Sequence, residues 1–250
     1  MLLDDALAKA AALWRRSRHV IALTGAGISV ASGIPDFRSP GGLWERHNPQ
    51  DVATAEALSR HPDRVWRFLL EAVALIGAAR PNPAHVALAR LEAAGRLTSV
   101  ITQNIDGLHQ AAGSRNVVEF HGGMGKYFCM GCGREYDPAR ALRLTVQDIP
   151  WFCRDCGGVV RPDIVFFGEA IPLDALGKSG QLALAADCIV VVGTSGEVAP
   201  ANLLPREIKA RGGVVVEINR MKSAFSGLPD VSIPAPAEVI LPALADLVLS

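Results

Sequence analysis

The chain has 250 residues, half of them apolar, enough for one sizeable domain or for a large domain carrying a small insertion, and too apolar for a disordered protein. Its 25 basic residues balance 25 acidic ones, so no whole-molecule field draws it to nucleic acid or to anionic lipid, and neither direct nucleic-acid binding nor membrane association is expected. No apolar run approaches the roughly 20 residues that span a bilayer, and the N-terminus lacks a basic segment followed by an apolar core and cleavage site, so the expected location is cytoplasmic.

Leu2 to Arg18 carries apolar residues at helical spacing and feeds Val20-Ile-Ala-Leu-Thr24, a short apolar run stopped by glycines, which reads as helix, strand and turn. Further short apolar runs recur at Thr98 to Thr102, Val117 to Phe120, Asp163 to Phe167, Cys188 to Val192 and Gly213 to Ile218. Helical stretches such as Pro83 to Ala94 and Leu173 to Ala186 lie between several of them. Buried strands alternating with helices predict an α/β fold with a Rossmann-like, doubly wound parallel sheet. Two segments break the alternation: a Gly/Pro-rich loop running into helices, and a stretch holding four cysteines. The expected division is a Rossmann-like domain formed by 1–31, 80–122 and 161–250, with a smaller helical and zinc-ribbon module formed by 32–79 and 123–160.

Five cysteines, an odd number, suit a reduced compartment and a metal better than a disulfide framework. Cys129-Met-Gly-Cys132 and Cys153-Arg-Asp-Cys156 are separated by twenty residues, a zinc-ribbon spacing in which each tight knuckle supplies two thiolates. Four thiolates leave no open position for water, so the metal is expected to be structural zinc rather than a redox pair or an iron–sulfur site. Cys188 sits in an apolar run and reads as a core residue.

The polar constellations come next. Thr24-Gly-Ala-Gly-Ile-Ser29 follows a strand, where glycines let the backbone approach a pyrophosphate and a following helix aims N–H groups at it; alone, it is equally a tight turn. No acid follows a second strand about twenty residues on, which disfavours a plain hydride-transfer enzyme. Gly33-Ile-Pro-Asp-Phe-Arg-Ser39, continuing to Trp44, suits a lid that excludes water, or an ordinary surface loop. Thr102-Gln-Asn-Ile-Asp-Gly-Leu-His109 concentrates Gln103, Asn104 and Asp106 at a strand end, as a ligand site or as a helix cap. His121, in Val118-Glu-Phe-His-Gly122, is a lone histidine just past another short strand; most such residues are structural, but a neutral imidazole there is also the natural proton acceptor near pH 7. The segments 161–169 and 193–200 each leave an edge after a strand, suiting an extended peptide added between them or simply two connecting loops.

Together these residues resemble the sirtuin family over nearly the whole chain. The resemblance rests on Gly25-Ala-Gly-Ile-Ser29, Gly33-Ile-Pro-Asp-Phe-Arg38, Thr102-Gln-Asn-Ile-Asp-Gly-Leu-His109, His121-Gly122, the four cysteines, Phe167-Gly-Glu169 and Gly193-Thr-Ser195, all in the family's order. It implies an NAD-consuming protein-lysine deacylase, in which nicotinamide is lost as the acyl oxygen of a modified lysine attacks the ribose. Nicotinamide, free lysine and O-acyl-ADP-ribose are the products.

Carried over by position, the resemblance implies His121 as general base, with Asn104, Ile105 and Asp106 walling the nicotinamide pocket and Gln103 holding the nearby ribose. Gly25, Ala26, Gly27 and Ser29 would cradle the phosphates, and Asp36, Phe37 and Arg38 would close the cofactor loop. Gly193, Thr194, Ser195 and Asn219 would lie beside the adenosine half, and Phe166, Gly168, Glu169 and Val198 would face the peptide. Relatives that prefer succinyl groups carry a Tyr-x-x-Arg pair where this chain has Leu69 and Ala72, so apolar acyl groups, acetyl or longer, are expected here. Gly196 stands where relatives often carry leucine; loss of that side chain either widens or loosens the wall near the adenosine and peptide sites or leaves the backbone contacts there intact, and the sequence does not fix its effect on cofactor or peptide binding. The rival readings are a protein mono-ADP-ribosyltransferase using the same site and a non-enzymatic NAD-binding or zinc-ribbon recognition module. Nothing in the sequence fixes the oligomeric state.

Overall fold

Every residue of Val20–Thr24 is buried, which leaves this strand no solvent-facing side, and it becomes the inner strand of a parallel sheet. The computed structural model describes residues 2–36 and 42–250. In chain order the elements begin with α1 (Leu3–Arg16), β1 (Val20–Thr24), α2 (Leu43–Arg46), α3 (Pro49–Val52), α4 (Ala55–Arg60), α5 (Pro62–Ala78) and α6 (Pro83–Ala93). Next come β2 (Ser99–Thr102), α7 (Leu108–Ala111), β3 (Val117–Glu119), β4 (Gly122–Cys129), β5 (Glu135–Tyr136), α8 (Pro138–Ala141) and β6 (Val160–Ile164). The chain closes with α9 (Leu173–Ala185), β7 (Cys188–Val192), α10 (Leu203–Ala210), β8 (Val214–Ile218), β9 (Val231–Ile233) and α11 (Ala237–Leu249). None of the helices among the described residues is long and apolar enough to cross a membrane.

Six strands pair in the order β3-β2-β1-β7-β8-β9, every pair parallel. The period-2 alternation of β1 and β7 divides the core between the two faces of the sheet. Val20, Ala22, Cys188, Val190 and Val192 meet the buried faces of α1, α6 and α11, whereas Ile21, Leu23, Ile189 and Val191 meet α9 and α10. Burial pushes the Cys188 thiol up to about 12, which agrees with its reading as an inert core residue. The strand order reverses between β1 and β7, and open α/β sheets bind their ligands beyond the carboxyl ends of the strands at such a point.

One strand lies elsewhere than the apolar pattern suggests. The run Asp163 to Phe167 reads as a strand of the main sheet, but the strand here is β6, which begins at Val160 and pairs antiparallel with β4 in a three-stranded sheet of order β5-β4-β6. Pro162 cannot donate to a central ladder and Arg161 needs a buried ionic partner, so this segment suits the edge of a small sheet. A separate core joins that sheet to the helices before α6. It contains Leu58, Val65, Trp66, Leu69 and Val73 from α4 and α5 together with Tyr127, Trp151, Val160 and Phe166. Trp66 is fixed there by donating from Nε1 to the Val160 carbonyl at 2.9 Å.

Candidate active site and metal centre

The parallel registers bring the expected site residues into one row. Thr24 is level with Thr102 and Val192, Thr102 with Glu119, and Val192 with Ile218. One residue further, the ladder continues through Gly25 N–H to Val192 O at 3.0 Å, Gln103 N–H to Thr24 O at 2.9 Å, Phe120 N–H to Thr102 O at 2.8 Å and Gly193 N–H to Ile218 O at 3.0 Å. Asn219 N–H bonds Ile233 O at 3.1 Å. Gly25, Gln103, Gly193 and Asn219 thus share one edge of the sheet, with His121 one residue beyond Phe120. Of the cofactor-loop residues, Asp36 is described and its carbonyl accepts from Leu43 N–H at 2.9 Å, while Phe37 and Arg38 lie outside the described residues.

The glycines after β1 serve first to interlock two loops. A Cβ at Gly25 would meet Thr194 Cβ at 2.7 Å, and one at Gly27 would meet Gly193 Cα at 2.8 Å. Gly27 N–H donates to Gly193 O at 2.8 Å. The chain then enters a 3-10 helix, Ala26–Ser32, which delivers Ser29 inward rather than opening a long α-helix toward a ligand. Across this junction Gln103 Nε2 donates to Thr194 Oγ1 at 3.0 Å, and Asn219 Nδ2 donates to Thr194 O at 2.7 Å.

Beneath the row lies a buried polar network. Asn104 Nδ2 donates to Gly25 O at 3.1 Å and to Ser29 Oγ at 3.2 Å, and Ser29 Oγ donates to Asp106 Oδ2 at 2.7 Å. Asp106 Oδ1 accepts from Leu108 N–H at 2.9 Å, so both carboxylate oxygens are engaged. The Ile105 carbonyl in the same turn accepts from Met124 N–H at 3.3 Å. His85, which no sequence motif marks, completes the set. Its Nδ1 accepts from Asn82 N–H at 3.3 Å, which leaves Nε2–H to face Ser29 Oγ at 3.5 Å and requires a neutral ring. His109 Nε2 lies 2.9 Å from Thr24 Oγ1, its Nδ1 is buried without a partner among the described residues, and its ring meets that of His85 edge-on at 4.9 Å.

Burial holds the His85 pKa down to about 4 despite the Asp106 charge, and it holds His109, with His85 beside it, down to about 3. Both folded values lie below the ordinary 6.5, so as pH falls from there toward 4 the unfolded chain takes up protons that the folded chain refuses. Stability present above pH 6.5 should therefore fall as the medium is acidified through this window. Urea midpoints measured from about pH 7 down to about pH 4.5 are expected to drop steeply for the unaltered chain and more shallowly for His109→Gln. Equal slopes would show that the pair does not govern acid sensitivity.

His121 is half-buried, and its Nδ1–H donates to the Gln103 carbonyl at 3.0 Å, which leaves Nε2 as the proton-accepting nitrogen. Burial lowers its pKa more than the Gln103 bond raises it, so the ring is neutral at pH 7. Gly122 follows because the turn has φ of +70°, and a Cβ there would lie 2.0 Å from the Asp163 carbonyl oxygen of β6. This contact sets the small sheet against the row, and Val165 N–H donates to His121 O at 2.9 Å.

Among the residues expected at the peptide edge, Glu169 turns inward. Its carboxylate pairs with the buried Arg161 guanidinium and accepts from Phe166 N–H at 2.9 Å. These donors outweigh the burial that opposes ionisation and hold its pKa below the usual value. Phe166 is buried against Arg161, Gly168 is exposed and Val198 is half-buried. Leu69 is closed into the small core and Ala72 is half-buried on the same helix. Gly196 is packed against a neighbouring ring. It has φ of +72°, and the space a side chain would take is filled by the buried Phe225 ring, 2.6 Å from where a Cβ would stand.

The four cysteines converge independently of that row. Their sulfurs all lie within 4.8 Å of one another, with Cys129 and Cys156 at 3.4 Å and Cys132 and Cys153 at 3.7 Å. Zinc–thiolate bonds of about 2.3 Å in a tetrahedron place sulfurs roughly 3.8 Å apart, so the donor set fits zinc. Each knuckle closes with the N–H of the following glycine on the carbonyl of its first cysteine, Gly133 to Cys129 at 2.9 Å and Gly157 to Cys153 at 3.0 Å. Gly131 N–H and Gly158 N–H also point at the sulfurs of Cys129 and Cys156. Four protein ligands would fill a tetrahedral zinc and leave no position for water, the arrangement typical of structural sites.

Comparison with known proteins agrees with this geometry. The Sir2 family matches residues 25–200. The NAD-dependent protein deacylase 2 of Pyrobaculum aerophilum is 49% identical over 92% of this chain and 91% of its own length. The NAD-dependent protein deacylase of Pyrococcus furiosus is 46% identical, with 92% and 93% covered. Among solved structures, a Sir2 enzyme studied for its mechanism and regulation superposes with a TM-score of 0.92 at 39% identity, covering 98% of both chains. A Sir2 homologue bound to NAD superposes with a TM-score of 0.89 at 38% identity, covering 97% of this chain and 94% of that one. From the motifs through the sheet edge to these relatives, the chain belongs to the Sir2 family, the sirtuins.

Proposed function

We propose that this chain removes acyl groups from protein lysine side chains at the expense of NAD, giving nicotinamide, free lysine and O-acyl-ADP-ribose. The observation that carries this reading is the His121 ring, fixed by Gln103 with its basic Nε2 unprotonated on the row that Gly25, Asn104 and Thr194 also share. The relatives named above are NAD-dependent protein deacylases, and one structural neighbour holds a deacetylated peptide with an O-acetyl ADP-ribose.

The buried turn with Asn104, Ser29 and Asp106 fits a carboxamide and a ribose, since it offers fixed amide, hydroxyl and carboxylate groups in a site largely closed to water. NAD supplies a glycosidic bond whose cleavage leaves an electron-poor ribose carbon. Asn104, Ile105 and Asp106 wall the nicotinamide side and Gln103 orients the adjacent ribose, while Gly25, Ala26, Gly27 and Ser29 line the phosphates. Asp36, Phe37 and Arg38 close the cofactor loop against water, and Gly193, Thr194, Ser195 and Asn219 flank the adenosine. His121 Nε2 takes a ribose hydroxyl proton. Phe166, Gly168 and Val198 border the peptide, and Glu169 acts there as a brace through Arg161.

The acyl end is apolar in this reading. On the stretch of α5 that carries Leu69 and Ala72, the charged side chain is Glu71, and it holds Arg46 at 2.7 Å and His47 at 2.8 Å. Among the described residues, positions 69–72 give a succinyl carboxylate no cation, since Glu71 is the charged residue of that turn. Matched acetyl, long-chain acyl and succinyl lysine peptides assayed with NAD should show succinyl removed slowest. Fastest removal of succinyl would refute the acyl preference.

A further inference from the structure

Beyond β8 the chain runs Ile218-Asn-Arg-Met-Lys-Ser-Ala224 and folds back at once. Both ends of this knuckle are tied to the loop after β7. Asn219 Nδ2 donates to Thr194 O at 2.7 Å, and Ala224 N–H donates to Ser195 O at 2.8 Å. Ser223 Oγ donates to Glu217 and accepts from Phe225 N–H at 3.1 Å, which closes the turn against the strand. Arg220, Met221 and Lys222 therefore flank the Thr194-Ser195 segment; Met221 and Lys222 are exposed and Arg220 lies at their side. Neither Arg220 nor Lys222 has an ion-pair partner among the described residues.

In dinucleotide-binding sheets, an acid near the end of the second strand hydrogen-bonds the adenosine 2′-hydroxyl and selects against a phosphate there, whereas a nearby arginine accepts one. Here the strand whose end adjoins the proposed adenosine half is β8, which pairs with β7 and β9 rather than with β1, and its one acid, Glu217, 6% exposed, has its carboxylate used internally by Ser223 and by Ser232 at 3.1 Å. No carboxylate of β8 is left to guard the ribose, and two cations without an ion-pair partner among the described residues stand in the next turn. A phosphate monoester carries about −1.5 to −2 charges at pH 7 and offers three acceptor oxygens. A guanidinium and an ammonium two residues apart match that group.

We infer that this rim binds the 2′-phosphate of a phosphorylated adenine dinucleotide, so that NADP⁺ occupies the same site as NAD, with Arg220 and Lys222 as the residues that admit it. The inference rests on the NAD site proposed above, and the two are separable by experiment. Calorimetry would titrate the intact chain and its Arg220→Gln/Lys222→Gln variant with NAD, NADP⁺, and the adenosine 2′,5′- and 3′,5′-bisphosphates. Charge-assisted contacts imply that the double substitution weakens NADP⁺ by roughly ten- to a hundredfold and leaves NAD within about twofold. The 2′,5′-bisphosphate should bind the unaltered chain more tightly than its 3′,5′ isomer. Binding of NAD without competition by NADP⁺, or equal weakening of both dinucleotides in the variant, would overturn the inference alone. Failure of NAD itself to bind would overturn the site reading with it.

Discussion

Replacing His121 by alanine should lower kcat/KM for deacylation by about 10²- to 10⁴-fold, the usual contribution of a positioned general base. That corresponds to roughly 2.7–5.5 kcal/mol of transition-state stabilisation. The ring makes one hydrogen bond among the described residues, to the Gln103 carbonyl, and packs edge-on against Phe120, so its removal leaves the Asn104, Ser29 and Asp106 network whole. Calorimetric binding of NAD should therefore change little while turnover is lost. Burial depresses the His121 pKa, so the acid limb of kcat/KM should lie below the ordinary histidine range and should vanish with the substitution. Unchanged turnover in the variant would remove His121 from the role of base.

The second large effect concerns the metal. Structural zinc contributes apparent binding energies on the order of 10–16 kcal/mol in small zinc-bound modules, and that energy is folding energy. Cys153→Ala removes one of four thiolates from a site whose cysteines Cys129 and Cys153 belong to the same core as Trp66, Trp151 and Tyr127. Loss should spread from the knuckles through Trp151 to α5, because Trp66 and Trp151 pack with ring centroids 6.0 Å apart. The variant should lose its equivalent of bound zinc by elemental analysis and show an early unfolding step by circular dichroism. A variant that keeps metal and fold yet loses chemistry would contradict a structural role.

The parts legible in sequence are those in which local chemistry and tertiary need coincide. The cysteine spacing announces a ribbon because two tight knuckles admit few other uses, and the buried runs announce a parallel sheet because no alternation is left for solvent. The turn at His121 is visible as a residue, but its role as base comes from the family resemblance. The fixed tautomer depends on the carbonyl of Gln103, a residue eighteen positions earlier. His85 is silent in sequence for the same reason. It sits in the first turn of an ordinary helix, where it caps Asn82, and only the fold brings it to Ser29. Strand β6 departs from the expected run because apolar content alone does not distinguish Val-Phe-Phe from the preceding Val-Arg-Pro, whose buried arginine finds Glu169 eight residues on. The consequence of Gly196 is likewise hidden, since Phe225, which fills its place, comes from a different loop.

The central claim is tested most directly by incubating the chain with NAD and an acetyl-lysine peptide and identifying every product by mass spectrometry. Equal amounts of nicotinamide, deacetylated peptide and O-acetyl-ADP-ribose are expected, with deacetylated peptide and O-acetyl-ADP-ribose formed about 10²- to 10⁴-fold more slowly by His121→Ala. Stable attachment of ADP-ribose to protein without loss of the acyl group would contradict the assignment.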